Sequence, residues 1–315
     1  MFKITIPENS SSNCFDCVIY SLLKYFGFDY KAYNIKYFYT DYFDSSLNDS
    51  NYYLRRGESC EKILILKDIY NIDLIITKKN KDIDLFEIIN NTIKNKPIAV
   101  TIDPYYCYWS PFYNKTHNYH VILIVDIDYE EKKYICFDVH FNTVGYVKID
   151  FDIINNNFKC YYIFNFNSQN EIKLDAMIKI INLPLNIFDR DLDLKKSEMI
   201  NCLTMNESKL ISPDYLETSM SLINLMWIAE DKKHFSIFLK YIEKKIEKPV
   251  FSSIYKLLSS SEKSFLLAKS ILTKYAITGR LKENELRSII DQIIDIDALT
   301  VDQIINVFKE IDYKC

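Results

Sequence analysis

The sequence NCFDCVIY, residues 13–20, decides the fold of the first half of this 315-residue chain. From Phe15 onward, apolar residues recur at three- and four-residue intervals as far as Phe26, which is the spacing of an amphipathic helix. Ser and Asn side chains at residues 11–13 can cap its start, and Gly27 is suited to its end. We therefore predict a helix over residues 14–26, with Cys14 in its first turn.

A cysteine at this position lies among unpaired backbone N–H groups at the positive end of the helix dipole. Both features favour a thiolate, the nucleophilic form of the side chain. The alternative for Cys14 is a buried thiol that packs as a small apolar group, which is the commoner fate of a free cysteine. Cys17 is a second candidate nucleophile, but it lies one turn deeper, where the dipole acts less strongly. The pattern favours Cys14.

Composition limits the classes of function. The net charge of -4 gives no electrostatic reason to expect nucleic acid or a membrane surface as a partner. The sequence has no apolar run of about 20 residues that could span a membrane, and its start lacks the basic and apolar pattern of a signal peptide. The eight cysteines are scattered, so we expect free thiols in a cytoplasmic protein.

Helical patterns come first in the chain and strand patterns follow. Residues 1–6 predict an edge strand, and helices are predicted at residues 59–70 and 84–94. Five apolar segments then predict strands, at residues 97–102, 119–127, 134–138, 146–149 and 161–166. Helices followed by an antiparallel sheet predict an α+β fold for residues 1–168.

The last part of the chain shows only helical patterns. Amphipathic spacing predicts helices at residues 210–229, 235–245, 252–258, 261–275, 283–293 and 301–311. Thr300 is the predicted N-cap of the last helix. We therefore predict a separate all-α accessory domain at residues 169–315. It could cover a cleft, dock a partner protein or form a homodimer.

A thiolate nucleophile needs a base, and the base needs an orienting group. His120 opens the most apolar predicted strand, and Asp138 ends the next strand. Because neighbouring strands of a hairpin run in opposite directions, these two residues lie at the same edge of the sheet. Singly, a core histidine and a turn aspartate would be ordinary; together they predict a Cys14–His120–Asp138 triad. His140 is the alternative base.

These residues resemble a known pattern. Cys14, with Gly27 thirteen positions on and an apolar helix face between them, resembles the nucleophile helix of papain-like, C39-type cysteine peptidases. The segment from His120 through a β-hairpin to Asp138 resembles the His and Asp arrangement of that family. The resemblance implies a papain-like fold, in which an N-terminal helix packs on an antiparallel sheet.

The chain is more similar to the butirosin-biosynthesis acyltransferase family, whose members join a papain-like domain to a helical C-terminal domain. The aromatic residues 103–113, running on to His117 and His120, look like a loop of such proteins. The resemblance implies amide formation in antibiotic or nonribosomal peptide biosynthesis, by transfer of an acyl group to a small amine through an acyl-Cys14 intermediate. The donor would be an acyl or peptidyl carrier protein. Its phosphopantetheine arm carries the thioester, and we expect no cofactor in the chain itself.

One position departs from the peptidase pattern. C39 peptidases have a Gln six residues before the nucleophile as oxyanion donor, whereas this chain has Glu8, and a carboxylate is a poor donor. The expected donors are the Cys14 backbone N–H and the side chains of Asn9 or Asn13. Further substrate-binding residues, expected to line a site that excludes water, are Tyr105, Trp109, Tyr113 and His117. The aromatic residues 33–53 are a second candidate wall, and ordinary packing is the alternative for both segments.

Other functions stay open. A C39-like cysteine peptidase would use the same triad, and a papain-like domain without activity would be a binding module. A zinc site made of Cys14, Cys17, His117 and His120 is a further alternative. The two histidines are closely spaced for such a site and lie far along the chain from the cysteines, so we expect no bound metal.

Overall fold

The computed structural model describes residues 1–5, 13–39, 60–81, 83–138, 145–167, 172, 174–182 and 220–312. The chain divides into two compact units, Met1–Tyr30 with Asn51–Ile172, and Lys31–Ser50 with Lys173–Cys315. The sequence predicts one division, after residue 168; the structure divides the chain after Ile172 and also assigns Lys31–Ser50 to the second unit. None of the helices in the described part of the chain is long and apolar enough to cross a membrane.

The first unit combines helices with a six-stranded sheet. Its helices are α1 (Cys14–Tyr25), α2 (Cys60–Tyr70), α3 (Leu85–Thr92) and α4 (Phe151–Asn157). Its strands are β1 (Ile72–Lys78), β2 (Ile98–Ile102), β3 (His120–Asp128), β4 (Lys133–Asp138), β5 (Gly145–Asp150) and β6 (Cys160–Phe166). They form one antiparallel sheet in the order β1-β6-β2-β3-β4-β5. The predicted α+β class is confirmed, and the five predicted strands are present within one residue at each end.

The N-terminal segment differs from its prediction. Residues 1–6 were expected to form an edge strand, but residues 1–5 are not in a strand. Phe2 N–H donates to the carbonyl of Val125, while Ile4 N–H donates to the hydroxyl of Tyr146 at 2.8 Å. A tyrosine hydroxyl therefore takes the hydrogen bond that a neighbouring strand would have made, and no backbone ladder forms.

The start of α1 is held by capping and by charge. The carboxamide oxygen of Asn13 accepts from the N–H groups of Phe15 at 2.9 Å and Asp16 at 3.4 Å, as an N-cap residue does. The carboxylate of Asp16 lies 3.0 Å from Lys62 Nζ of α2, and both side chains are buried. A buried ion pair that is also well placed resists displacement, since separating it leaves an unpaired charge. The first turn of α1 is therefore fixed relative to α2.

The end of α1 is as predicted. Gly27 has φ +80, the left-handed region that glycine enters without steric cost. Its N–H donates to the carbonyl of Lys24, and the N–H of Phe28 donates to the carbonyl of Leu23. These two bonds are the Schellman arrangement that closes a helix and turns the chain away.

Both faces of the central strands are covered, which explains their uninterrupted apolar sequence. On one face, Val100 and Ile122 belong to a buried cluster that includes Leu85 and Ile89 of α3. On the other face, the ring of Phe15 in α1 lies 5.0 Å from that of Tyr162 in β6. His120 at the start of β3 and Asp138 at the end of β4 thus belong to a sheet that is packed on both faces.

The second unit is helical. It contains a 3-10 segment, Tyr30–Tyr39, which starts on the last residue of the first unit, and the helices α5 (Leu174–Asn182), α6 (Met220–Ile246), α7 (Ser252–Thr278) and α8 (Glu283–Asp312). α7 packs against both α6 and α8. The prediction of shorter helices was wrong over residues 220–312, where three long helices run through the expected breaks. Thr300 is not an N-cap: it lies inside α8 and its hydroxyl donates to the carbonyl of Ile296.

A buried polar network explains why those helices are continuous. Lys232 Nζ of α6 lies 3.0 Å from both carboxylate oxygens of Asp297 in α8. The hydroxyl of Ser261 in α7 donates to Asp297 Oδ1 at 2.8 Å. All three residues are buried, and burial lowers the pKa of Lys232 although Asp297 opposes this effect. Lys232 and Asp297, which fall between predicted helices, therefore meet inside the helical unit.

We expect Asp297→Asn to lower the free energy of unfolding by about 3 kcal/mol, because the buried ammonium group of Lys232 would lose the carboxylate that compensates its charge. Asp302→Asn is the matched control, since Asp302 is exposed on the same helix and its loss should change stability by less than about 0.5 kcal/mol. Urea unfolding followed by circular dichroism measures both. Equal effects of the two substitutions would contradict a stabilising role for the network.

Candidate active site

The site lies where β3 begins and β4 ends. His120 is the first residue of β3 and Asp138 is the last residue of β4, and both are at most 2% exposed. The His120 Nε2–H donates to Asp138 Oδ2 across 2.6 Å. A carboxylate on one ring nitrogen fixes the orientation of the imidazole and determines which nitrogen faces the other partner.

That other partner is Cys14. Its side chain is near enough to the His120 ring to help raise the pKa of that ring. Because Asp138 is bound to Nε2, an approach of the sulfur to the ring would use Nδ1. The structure therefore brings the three residues of the predicted triad into one neighbourhood, and their roles as nucleophile, base and orienting carboxylate stay a prediction.

Exposure separates Cys14 from the other thiols. Of the five cysteines whose side chains the structure describes, Cys14 alone is half-exposed; the others are buried, and all five are free. Burial raises the pKa of both Cys107 and Cys136, which keeps these thiols protonated and unreactive. Cys17, the alternative nucleophile, is 2% exposed. A reagent from solvent can reach the sulfur beside the base and cannot reach the four buried ones.

The charge state of His120 results from opposing effects. Burial disfavours the imidazolium, but the Asp138 carboxylate, with a smaller contribution from Cys14, outweighs burial and raises the pKa of His120 from 6.5 to about 9. The ring is thus an imidazolium at neutral pH. A cation near the sulfur is the setting in which cysteine nucleophiles act.

Trp109 has a partner that the sequence did not indicate. Its indole N–H donates to Asp138 Oδ2 at 2.6 Å, the same oxygen that accepts from His120, and its predicted role in a wall of the substrate site stays a prediction. Its ring packs against the buried cluster of the sheet. A partly buried tryptophan needs a partner for its N–H, which is the signal in the sequence that could have suggested a polar contact.

The candidate oxyanion donors can be located in part. The side-chain oxygen of Asn13 caps α1, and the candidate oxyanion donor is the Nδ2 amide group of the same side chain. The backbone N–H of Cys14 makes no hydrogen bond to any other described residue, as expected in the first turn of a helix. It is therefore able to donate to an oxyanion next to the sulfur. Asn9 and Glu8 lie outside the described residues.

A second His–Asp pair lies in the loop before β3. His117 Nδ1 is 2.6 Å from Asp103 Oδ2, and the other oxygen of Asp103 accepts from the N–H groups of Tyr105 at 3.0 Å and Asn118 at 3.2 Å. The ring of Tyr105 stacks on that of His117, with centroids 4.4 Å apart. Sequence analysis did not single out Asp103, although an aspartate between a buried strand and Pro104 is a typical cap of the turn that follows.

The other predicted residues are not part of these two groups. Tyr113 is exposed at the far end of the same loop. His140 lies outside the described residues, as does much of the aromatic segment 33–53, of which Tyr33 is buried in the second unit. No cluster of three or more His, Cys, Asp or Glu side chains that could bind a metal is found within the described ranges.

Comparisons with known proteins do not assign the chain to a family. No family model matches it. No curated protein sequence matches it. The resemblance to papain-like enzymes and to the butirosin family remains a hypothesis that rests on residues such as Cys14, Gly27, His120 and Asp138.

We expect the pairing of His120 with Asp138 to make stability depend on pH. The ring binds its proton up to about pH 9 in the folded state and up to about pH 6.5 in the unfolded chain. The stabilisation is therefore complete below pH 6.5 and is lost as the pH rises through about 9. Denaturation of wild type and His120→Gln at a series of pH values measures it. The stability difference between the two should shrink over this window, and a constant difference would contradict the pairing.

Trp109→Phe should slow the reaction of Cys14 with iodoacetamide, because Asp138 would lose one of the two donors that hold it beside His120. A hydrogen bond to a charged group contributes about 1.5–3 kcal/mol, so a loss of about tenfold or more is expected. Mass spectrometry of the Cys14 peptide measures the rate. Tyr108→Phe is the control, because the neighbouring Tyr108 is 60% exposed and the substitution keeps the ring that packs on Trp109. Equal rates for all three proteins would show that the indole bond has no such role.

Proposed function

We propose that this chain is a cysteine-dependent acyltransferase with a papain-like catalytic domain. It takes an acyl group from a carrier-protein thioester and transfers it to an amine, forming an amide through an acyl-Cys14 intermediate. The observation that carries the proposal is a half-exposed thiol at a helix start that acts on the pKa of a buried histidine, which is itself bound by Asp138 through Nε2.

The first half-reaction is thiol–thioester exchange. The Cys14 sulfur attacks the carbonyl carbon of the donor thioester, and a new carbon–sulfur bond forms. The bond to the phosphopantetheine sulfur breaks, and the departing thiolate takes a proton from the His120 imidazolium. Bonds of the same kind are made and broken, so this step is close to thermoneutral. It needs less oxyanion stabilisation than attack on an amide would need.

The second half-reaction forms the amide. A neutral amine attacks the acyl carbon, and His120, now uncharged, accepts a proton from the nitrogen as the carbon–sulfur bond breaks. Cys14 leaves as a thiolate beside the imidazolium, which restores the starting pair. Asp138 stabilises the imidazolium in both halves through its bond to Nε2, and the Cys14 N–H is the best placed donor to the transient oxyanion.

A thioester donor fits the residues better than a peptide does. A peptidase must stabilise an oxyanion on a poor leaving group, and Glu8 stands where the C39 peptidases have Gln. The remaining candidate donors are the backbone N–H of Cys14 and one asparagine amide, and an activated thioester needs less oxyanion stabilisation than an amide does. A cysteine peptidase and an inactive binding module are the two functions that the experiment must separate from acyl transfer.

The test uses acetyl-, hexanoyl- and benzoyl-pantetheine with the full-length protein, followed by intact-mass measurement. We expect an acyl adduct on wild type that is absent in Cys14→Ala and retained in Cys17→Ala, since Cys17 is buried one turn further along α1. His120→Asn should acylate about a hundredfold or more slowly, because the leaving thiolate loses its proton donor.

The second stage adds ethylamine to the isolated acyl-enzyme. Release of an N-ethyl amide faster than release of the free acid supports acyl transfer to amines. Hydrolysis that outpaces aminolysis, together with cleavage of peptide amides, would support the peptidase. A wild-type protein that forms no adduct with any of the three thioesters would support the binding module and overturn the proposal.

A further inference from the structure

The second His–Asp pair has no part in the two half-reactions described, and its geometry suits a proton acceptor. We propose that His117 is a second catalytic base, which removes a proton from the acceptor ammonium group before the amine attacks acyl-Cys14, and that Asp103 is its positioning residue. This inference rests on the proposed acyl transfer and specifies how the acceptor amine becomes a nucleophile.

His117 is unusual in being both exposed and held in place. Its side chain is 68% exposed, yet Asp103 binds Nδ1 and the ring of Tyr105 stacks on it at an interplanar angle of 19°. An exposed side chain that packed freely would sample several rotamers. Here the charge-assisted bond and the stacking select one orientation, as expected for a preorganised functional group.

The hydrogen bond also determines which ring nitrogen is basic. Nδ1–H donates to the Asp103 carboxylate, so in the neutral ring Nε2 carries the lone pair. Nε2 has no hydrogen-bond partner in the described part of the chain, and it lies on the opposite side of the ring from Asp103. Besides Asp103, the groups that face the ring are the aromatic side chains of Tyr105 and Tyr106. No cation is among these neighbours, so an ammonium group can approach.

Asp103 itself is well fixed. It is 8% exposed and one of its oxygens accepts two backbone N–H groups, from Tyr105 and Asn118. These bonds occupy Oδ1 and leave Oδ2 for His117. A buried carboxylate that accepts three hydrogen bonds is held in one position, which is what a positioning residue requires.

Sheet register places this pair beside the triad. Ile102, the last residue of β2, is the direct partner of His120 in β3, and Asp103 follows it immediately. His117 precedes His120 by three residues, so both pairs belong to the same edge of the sheet. The two histidines differ in burial, since His120 is 0% exposed. One is shielded next to the sulfur, and the other is open to an incoming ligand.

The proposed chemistry requires such a group. An aliphatic amine is an ammonium ion at neutral pH and has no lone pair, so it cannot attack the acyl carbon. His120 accepts one proton during attack, but a second proton must leave the ammonium beforehand. His117 Nε2 takes that first proton and later releases it to water. Overall, the acyl thioester and the ammonium ion give the amide, the free pantetheine thiol and one proton.

The test compares two nucleophiles on the same acyl-enzyme at neutral pH. Ethylamine arrives protonated and needs a base, whereas hydroxylamine is neutral and needs none. In His117→Asn the Asn amide can still donate to Asp103 but cannot accept a proton. We expect this variant to react with ethylamine at least about tenfold more slowly than wild type and with hydroxylamine at the wild-type rate. His117→Ala should show the same selectivity.

Asp103→Asn tests the positioning role with the same pair of nucleophiles. It should slow ethylamine selectively, by less than His117→Asn does, because the base is still present but is no longer held by a carboxylate. Lys115→Gln is the control: it removes a charge from an exposed residue of the same loop and should leave both rates unchanged.

The outcomes separate this inference from the proposed function. If wild type forms no acyl-Cys14, both the acyl transfer and the role of His117 are overturned. If the acyl-enzyme forms normally and His117→Asn slows both nucleophiles equally, or neither, then acyl transfer stands and His117 is only a structural residue of the loop. Selective slowing with ethylamine supports the base.

Discussion

A single carboxylate oxygen holds the candidate site together. Asp138 Oδ2 accepts from the His120 ring and from the Trp109 indole, each at 2.6 Å, and the side chain is almost fully buried. A buried carboxylate is costly unless it is hydrogen-bonded and charge-compensated. Both conditions are met only when the end of β4, the start of β3 and the loop that carries Trp109 are in their places. Folding of this edge and assembly of the base are therefore the same event.

Sequence patterns were most reliable where one residue type has one physical purpose. Gly27 ends α1 through a positive φ, and the alternating edges of a hairpin put His120 beside Asp138. The predictions failed where a polar residue can lie either in a loop or in a buried ion pair within a helix. Lys232 and Asp297 fell between predicted helices, because a single sequence does not show that two distant charges pair inside a bundle. β1 and α4 were missed for a related reason: they are short and partly exposed, and tertiary contacts decide such segments.

The residues around the site differ from expectation in the same way. The hairpin order of the strands was enough to predict that His120 meets Asp138. Trp109 and Asp103 were not assigned their partners, because aromatic and turn residues in a loop have many possible contacts. Their hydrogen bonds depend on how the loop folds back across the sheet edge, and no periodicity records that path. Loops are where sequence reasoning is weakest and where site residues concentrate.

Hydrogen bonds to Asp103 join the two ends of the loop between β2 and β3. Asp103 binds Tyr105 near one end and His117 and Asn118 near the other, and Asn114 N–H donates back to the carbonyl of Tyr105. These bonds join the two ends of the loop, and Asn114 takes part only through its backbone N–H. The side chains of residues 111–116, which are mostly exposed, therefore do not set the position of either end. The side chains at the tip can therefore change without a change in the two ends of the loop, and Cys14, His120 and Asp138 would keep their places when they do.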